Sequence, residues 1–222
     1  MKKVLLPLLM FFVFSGVLSA KGFYIGGTGG MAGTDNFKDC KNEIKETNPY
    51  ATVDLSQSKF FYGLEIGYES PLISENQLLG VRGGYNWHDT ISFDVKANNG
   101  GRTIFKNKMQ SIPVTAYYKY EFKESKFSVL GGVGLTIIDM KWIYTYSFES
   151  GGSKESSEEN KNVSKASPHI AVGLEYRFSK LLGLSFDLKY TIGSEIKFDD
   201  SASTAKRELG FQGALAVRLY AF

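Results

Sequence analysis

A chain of 222 residues with a net charge of +3, 14% aromatic residues, 24 glycines and only five prolines fits one domain, and all-β barrels often run this long. The charge is small and scattered and the aromatics follow strand periodicity, which excludes nucleic acid as a partner. No internal run reaches the roughly eighteen apolar residues of a spanning helix, and the single cysteine, Cys40, excludes an intrachain disulfide.

Residues 1–20 read as a secretory signal peptide. Lys2 and Lys3 precede an apolar stretch from Val4 through Val17, and Leu18-Ser19-Ala20 supplies the small-residue cleavage region. Cleavage near Ala20, export by the Sec pathway and a mature chain starting at Lys21 are expected. Phe23 to Ala32 is the first strand, with Phe23, Ile25 and Met31 alternating against Tyr24, Thr28 and glycines. No helix pattern or Lys-Ser/Thr follows Gly26, Gly27, Gly29 and Gly30, so close strand packing or curvature explains them better than phosphate binding. Residues 33–58 form a long polar loop that carries Cys40, read as incidental.

From Phe60 to His88 the alternation becomes strict. One face holds Phe60, Tyr62, Leu64, Ile66 and Tyr68, then Leu79, Val81, Gly83, Tyr85 and Trp87; the other mixes Phe61, glycines and single charges. Two such runs joined by a short polar link are an antiparallel hairpin. A closed barrel of eight strands has just enough room inside for side chains to fill, not for rings of Phe, Tyr and Leu from every strand. The bulky face therefore turns outward, against a lipid bilayer. A turn centred near residues 73 and 74 sets Glu65 directly across from Arg82 on the inner face, where a charge-assisted pair offsets the cost of burial.

Ile91–Val95 and Thr103–Met109 flank Asn98-Asn99-Gly100-Gly101, a hairpin signal that extends the wall beyond the membrane. The fourth spanning strand sends Ile112, Val114, Ala116, Tyr118, Tyr120 and Phe122 outward and Thr115, Tyr117, Lys119 and Glu121 inward. The fifth starts at Phe127 and runs on through Trp142, Tyr144 and Tyr146, longer than a bilayer needs. Residues 148–165, rich in Ser, Glu, Lys and Gly, read as a mobile polar loop. The sixth strand turns His169, Ala171, Gly173, Glu175 and Arg177 inward, and the seventh Gly183, Ser185, Asp187 and Lys189. Their facing sets offer two diagonal pairs, Glu175 with Lys189 and Arg177 with Asp187. Residues 199–207 are a fourth polar loop, and Leu209–Phe222 is the last strand.

The fold class is thus all-β, an eight-stranded antiparallel transmembrane up-and-down β-barrel with extended extracellular loops over residues 21–222. Links at 70–77, 123–125 and 179–181 are short, whereas those at 33–58, 89–108, 147–166 and 194–206 are long, so the termini lie on the short-turn side. Outward aromatics gather at both ends of the strands: Tyr62, Tyr85 and Trp87 at one, Tyr68, Tyr120, Phe122, Phe127, Tyr176 and Phe178 at the other.

With its opening Gly22-Phe23-Tyr24-Ile25-Gly26-Gly27, its loop asymmetry and its terminal aromatic, the chain resembles the small outer-membrane barrels of the OmpA/OmpX type. The resemblance implies residence in the bacterial outer membrane, contact with its lipid, and assembly by the barrel assembly machinery reading Tyr220 and Phe222. It departs at Arg218, where the family has an apolar residue, and Leu215, Val217 and Leu219 run out of phase with Tyr220 and Phe222. A bulge near the chain end is one explanation.

The function expected is non-enzymatic: a barrel anchor displaying loops for adhesion, host interaction or envelope integrity, with surface or host ligands bound through those loops. Glu65, Arg82, Glu175, Arg177, Asp187 and Lys189 form an interior charge network that plugs the bore. The alternative is a narrow channel or route for small hydrophobic molecules, as in OmpW-like relatives. Catalysis has little support. His88 is followed by Asp89-Thr90 and His169 is preceded by Ser167-Pro168, which supplies the wrong nucleophile or the reverse order for the His and Ser of lipid A deacylase barrels. No cofactor or metal is implied.

Overall fold

The computed structural model describes residues 22–35, 45–46, 50–56, 59–71, 76–97, 101–123, 125–150, 153–194, 196–197 and 206–221. Residues 1–20, expected to be a signal peptide, and Cys40 and Phe222 lie outside them. Among the described residues the strands are β1 (Gly22–Asp35), β2 (Thr52–Ser56), β3 (Phe60–Pro71), β4 (Gln77–Lys96), β5 (Gly101–Glu121), β6 (Phe127–Ser150), β7 (Ser153–Arg177), β8 (Leu182–Thr191), β9 (Ile196–Lys197) and β10 (Lys206–Tyr220). Apart from the short β2 and β9, each pairs antiparallel with its neighbour, and β1 pairs with β10. The result is a closed ring of eight strands. Closure satisfies the backbone groups at both would-be edges, which a hydrocarbon solvent cannot do.

The distribution of side chains is inside-out relative to a soluble barrel. Leu64, on the outer face, is 62% exposed, while Arg218 and Lys119 inside are 0% exposed. Ile25, Val133, Leu135, Ile170, Val172, Leu174, Leu215 and Val217 continue the exposed apolar belt around the ring. Such a belt is stable only against lipid. The inner face alternates large residues with glycine. Gly67 lies against the Tyr24 ring and Gly80 against the Tyr117 ring, so closely that a Cβ at either position would collide with the aromatic atoms.

The wall is uneven in height. β8 has 10 residues, about the length that crosses a bilayer as a tilted strand, whereas β4, β5, β6 and β7 have 20, 21, 24 and 25. Their surplus projects on the long-loop side, and β2 joins this extension by pairing Thr52–Ser56 with residues 92–96 of β4. The far edge is the polar stretch from Ser153 to Ser167 of β7, paired with β6 alone, since β7–β8 pairing begins at His169.

Several sequence expectations change. Arg82 lies opposite Gly67 and Glu65 opposite Gly84, a slip of two residues from the predicted register because the β3–β4 turn centres one residue later. A slip of two keeps both side chains on the inner face, so the facing survives although the partner does not. The predicted mobile loop at 148–165 is mostly strand: Ser153–Lys165 pairs with residues 138–150 of β6. Residues 156–162 are exposed on both faces, so no apolar alternation marks them. The loop predicted at 33–58 contains β2, and the one at 194–206 contains β9. The phase break in the last strand is not near its end. β10 pairs regularly with β1 from Gln212 to Tyr220, and the irregularity falls between Glu208 and Gln212, beside Gly210 at φ 43°. Leu215, Val217 and Leu219 therefore face outward, and Arg218 and Tyr220 inward.

Candidate functional site

The bore is filled by one continuous ionic network. In its lower tier the Lys119 ammonium lies 3.0 Å from Glu69 and 2.7 Å from Glu175. Arg177 adds contacts of 2.9 Å to Glu69 and 3.0 Å to Glu175, and reaches Glu121 at 3.5 Å. The hydroxyls of Tyr117 and Tyr220 donate to Glu69 (2.9 Å) and Glu175 (2.7 Å). In the upper tier Arg82 donates to Asp187 at 2.9 Å and stands 3.9 Å from Glu65. Arg218 joins the tiers, with its guanidinium 2.6 Å from Glu65, 2.8 Å from Glu175 and 2.9 Å from Asp187. Three tyrosine rings line the cations: Arg177 lies 4.1 Å from the centre of Tyr220, Arg218 5.2 Å from Tyr24, and Arg82 5.7 Å from Tyr117. Ion pairs, hydrogen bonds and ring faces together satisfy charges that would be costly to bury alone.

All six charged residues singled out in the sequence lie on the inner face, but the diagonal pairs drawn for them are incorrect. Glu175 lies opposite Ser185 and Arg177 opposite Gly183, so neither meets its predicted partner. Asp187 instead serves Arg82 and Arg218, and Glu175 serves Lys119, Arg177 and Arg218. The network also takes in Glu69 and Lys119, placed on the inner face by alternation but left out of the expected network, and Arg218, noted there only as a departure from the family. A signal for Arg218 was present: Gly26 and Gly183 flank it on the two neighbouring strands, leaving room for a large side chain.

Lys189 faces a polar cavity of about 60 Å³ above the upper tier, room for a few waters. The Gln212 amide and Asp187 Oδ1 border the same space and make no hydrogen bond within the described protein. Above this cavity the bore changes character. Phe61, Ile91, Met109, Ile138, Met140, Trp142 and Leu209 form a buried apolar cluster across the extracellular half. The two histidines belong to the surrounding polar wall. His88 Nε2 lies 2.9 Å from Ser111 Oγ, and His169 sits between Thr115 (2.9 Å) and Thr136 (2.8 Å). Tyr220, expected as part of an assembly signal, has its hydroxyl on the ionic network, and Phe222 lies outside the described residues.

The outer wall completes the picture. Rings pair at the short-turn end, as Phe23 with Tyr68 and Phe127 with Tyr176, and at the opposite end, where Trp87 stacks on Tyr62 and meets Tyr85. A closed ring with an apolar exterior, two aromatic girdles and a charged interior is the arrangement of an outer-membrane barrel. A family model described as an outer membrane protein β-barrel domain matches residues 4–213. The chain belongs to this family.

This barrel is similar to several solved structures. The N-terminal barrel of Pseudomonas aeruginosa OprF is 11% identical, with coverage of 91% of this chain and 100% of that one and a TM-score of 0.44. Neisserial surface protein A is 16% identical (91% and 99% covered, TM-score 0.44). Ail, the attachment invasion locus protein of Yersinia pestis, solved with the heparin analogue sucrose octasulfate, is 14% identical (90% and 99%, 0.43). None of the curated proteins matches the chain.

Proposed function

We propose that this outer-membrane barrel is a non-enzymatic anchor that displays a protruding sheet and its loops at the cell surface for adhesion, host interaction or envelope integrity. The observation that carries the reading is the mismatch of heights. β4 to β7 run 20–25 residues where about ten cross the membrane, so half of each strand is spent outside the bilayer. The sealed bore weighs against a route for ions or small hydrophobic molecules. Apart from Lys189 at the cavity, the interior charges named above pair with one another, and an apolar cluster lies above them. Both histidines are buried among hydroxyls on the inner wall, away from the lipid-facing surface where a lipid hydrolase would need them. Removal of residues 1–20 near Ala20 and delivery by the assembly machinery through Phe222 are part of the same proposal.

The test replaces residues 145–158 at the tip of the β6–β7 hairpin with a short turn. The altered barrel is expected to assemble, as read by heat-modifiable migration in detergent. Cells bearing it are expected to lose attachment to surfaces or host cells that the full-length barrel supports. Unchanged attachment would contradict display by this sheet.

A further inference from the structure

The register of the β5–β6 hairpin carries three lysines onto one patch of the outer wall. Moving outward along the lipid-facing side, Ile112 lies opposite Ile137, Gln110 opposite Asp139, Lys108 opposite Lys141, and Lys106 opposite Ile143. Lys106, Lys108 and Lys141 are all exposed. Gln110 marks the depth. It pairs with Trp87 across β4–β5 and accepts a 2.5 Å hydrogen bond from Tyr85, so it sits within the aromatic girdle of Tyr62, Tyr85 and Trp87. Girdles of this kind occupy the membrane–water interface. Lys108 and Lys141 lie one register step beyond it, at the level of lipid headgroups, and Lys106 one step further.

Two lysines at directly opposed positions repel one another. Asp139 stands on this face of the hairpin one step inward, and by register Glu149 of β6 and Glu158 of β7 share it further out; Asp89 lies on the neighbouring β4 irregularity and has its own partner, and Asp94 further out is committed to Arg102. Among the described residues none of the three lysines makes an ion pair. We propose that Lys106, Lys108 and Lys141 form a binding patch for the phosphorylated headgroups of outer-leaflet lipids. A phosphate seated between Lys108 and Lys141 turns their repulsion into shared attraction. Flexible ammonium-tipped side chains suit a ligand that diffuses within the leaflet. The aromatic ledge directly below selects a lipid over a soluble anion, because it contacts the acyl region of the same molecule.

Trp87 provides the readout. The full chain is reconstituted in phosphatidylcholine vesicles containing phosphatidic acid or further phosphatidylcholine, either one brominated near the glycerol, and quenching of Trp87 fluorescence is measured. Phosphatidic acid is expected to be preferred at Trp87 by about fivefold or more, the gain from roughly one lysine near a charged surface. The variant K106Q/K108Q/K141Q is expected to lose that preference, whereas K123Q/K126Q at the other rim keeps it. Equal quenching by the two lipids in the unaltered chain overturns the proposal, as does a preference that survives the triple change. Glycerol phosphate, the same headgroup without acyl chains, is expected not to compete. Competition at equal concentration would assign the patch to soluble anions and overturn the lipid assignment.

Discussion

Arg218 carries more of the interior than any other side chain. It is fully buried, touches Glu65, Glu175 and Asp187, and lies over the Tyr24 ring. Arg218→Gln leaves three carboxylates short of a donor, and breaking a buried pair typically costs about 3–5 kcal/mol. Glu65→Gln removes one acceptor of several and is expected to cost less, about 1–3 kcal/mol. The double variant should cost clearly less than the sum of the two, measured by urea unfolding from lipid vesicles. Strict additivity would mean that the side chains do not meet. A second residue-scale prediction concerns Asp94 on the projecting sheet, held by Arg102 at 2.6 Å. The Arg102 hydrogen bonds hold its carboxyl below the usual carboxylate range. Because the folded value is the lower one, the pair's contribution is present above the unfolded pKa and is lost as pH falls through the folded pKa. Arg102→Gln should raise the Asp94 titration, followed by the carboxyl carbon resonance; an unmoved curve would contradict the pairing. Sequence alternation placed the interior charges on the right face but could not name their partners. Glu65 and Arg218 are 153 positions apart, and only closure of the ring brings them together.

At the scale of strands, the lipid-facing period was legible wherever both faces had unlike solvents. β3, β8 and the membrane halves of β4 to β7 alternate apolar against polar, and their sides follow directly. The outer half of β7 was not legible. Residues 156–162 have water on both faces, so no period marks them, and the strand geometry comes from the hydrogen bonds that β6 offers. The membrane face yields a prediction. Leu64→Arg places a cation on the lipid side and should cost roughly 2–4 kcal/mol if the site is near the midplane, seen as impaired insertion. Lys189→Ala, on the cavity side, should insert normally. Normal insertion of the first with failure of the second would mean that the two faces are reversed.

For the whole molecule, the interior has two unlike seals in series. The ionic tiers lie in the membrane-embedded bore, and the apolar cluster of Phe61, Met109, Met140 and Trp142 lies above them. An ion crossing the barrel would meet buried charge pairs and then an apolar cluster, two barriers of different origin. The proposed role follows from this arrangement: the barrel as an anchor, and its projecting strands as the surface presented to the outside. Conductance of the purified barrel in planar lipid bilayers tests this most directly. The sealed bore predicts no resolved single-channel steps, in the unaltered chain and in variants such as Lys189→Ala that leave both seals in place. Sustained, reproducible steps from the unaltered barrel would show that the bore is open, and the reading as a plugged anchor would fall.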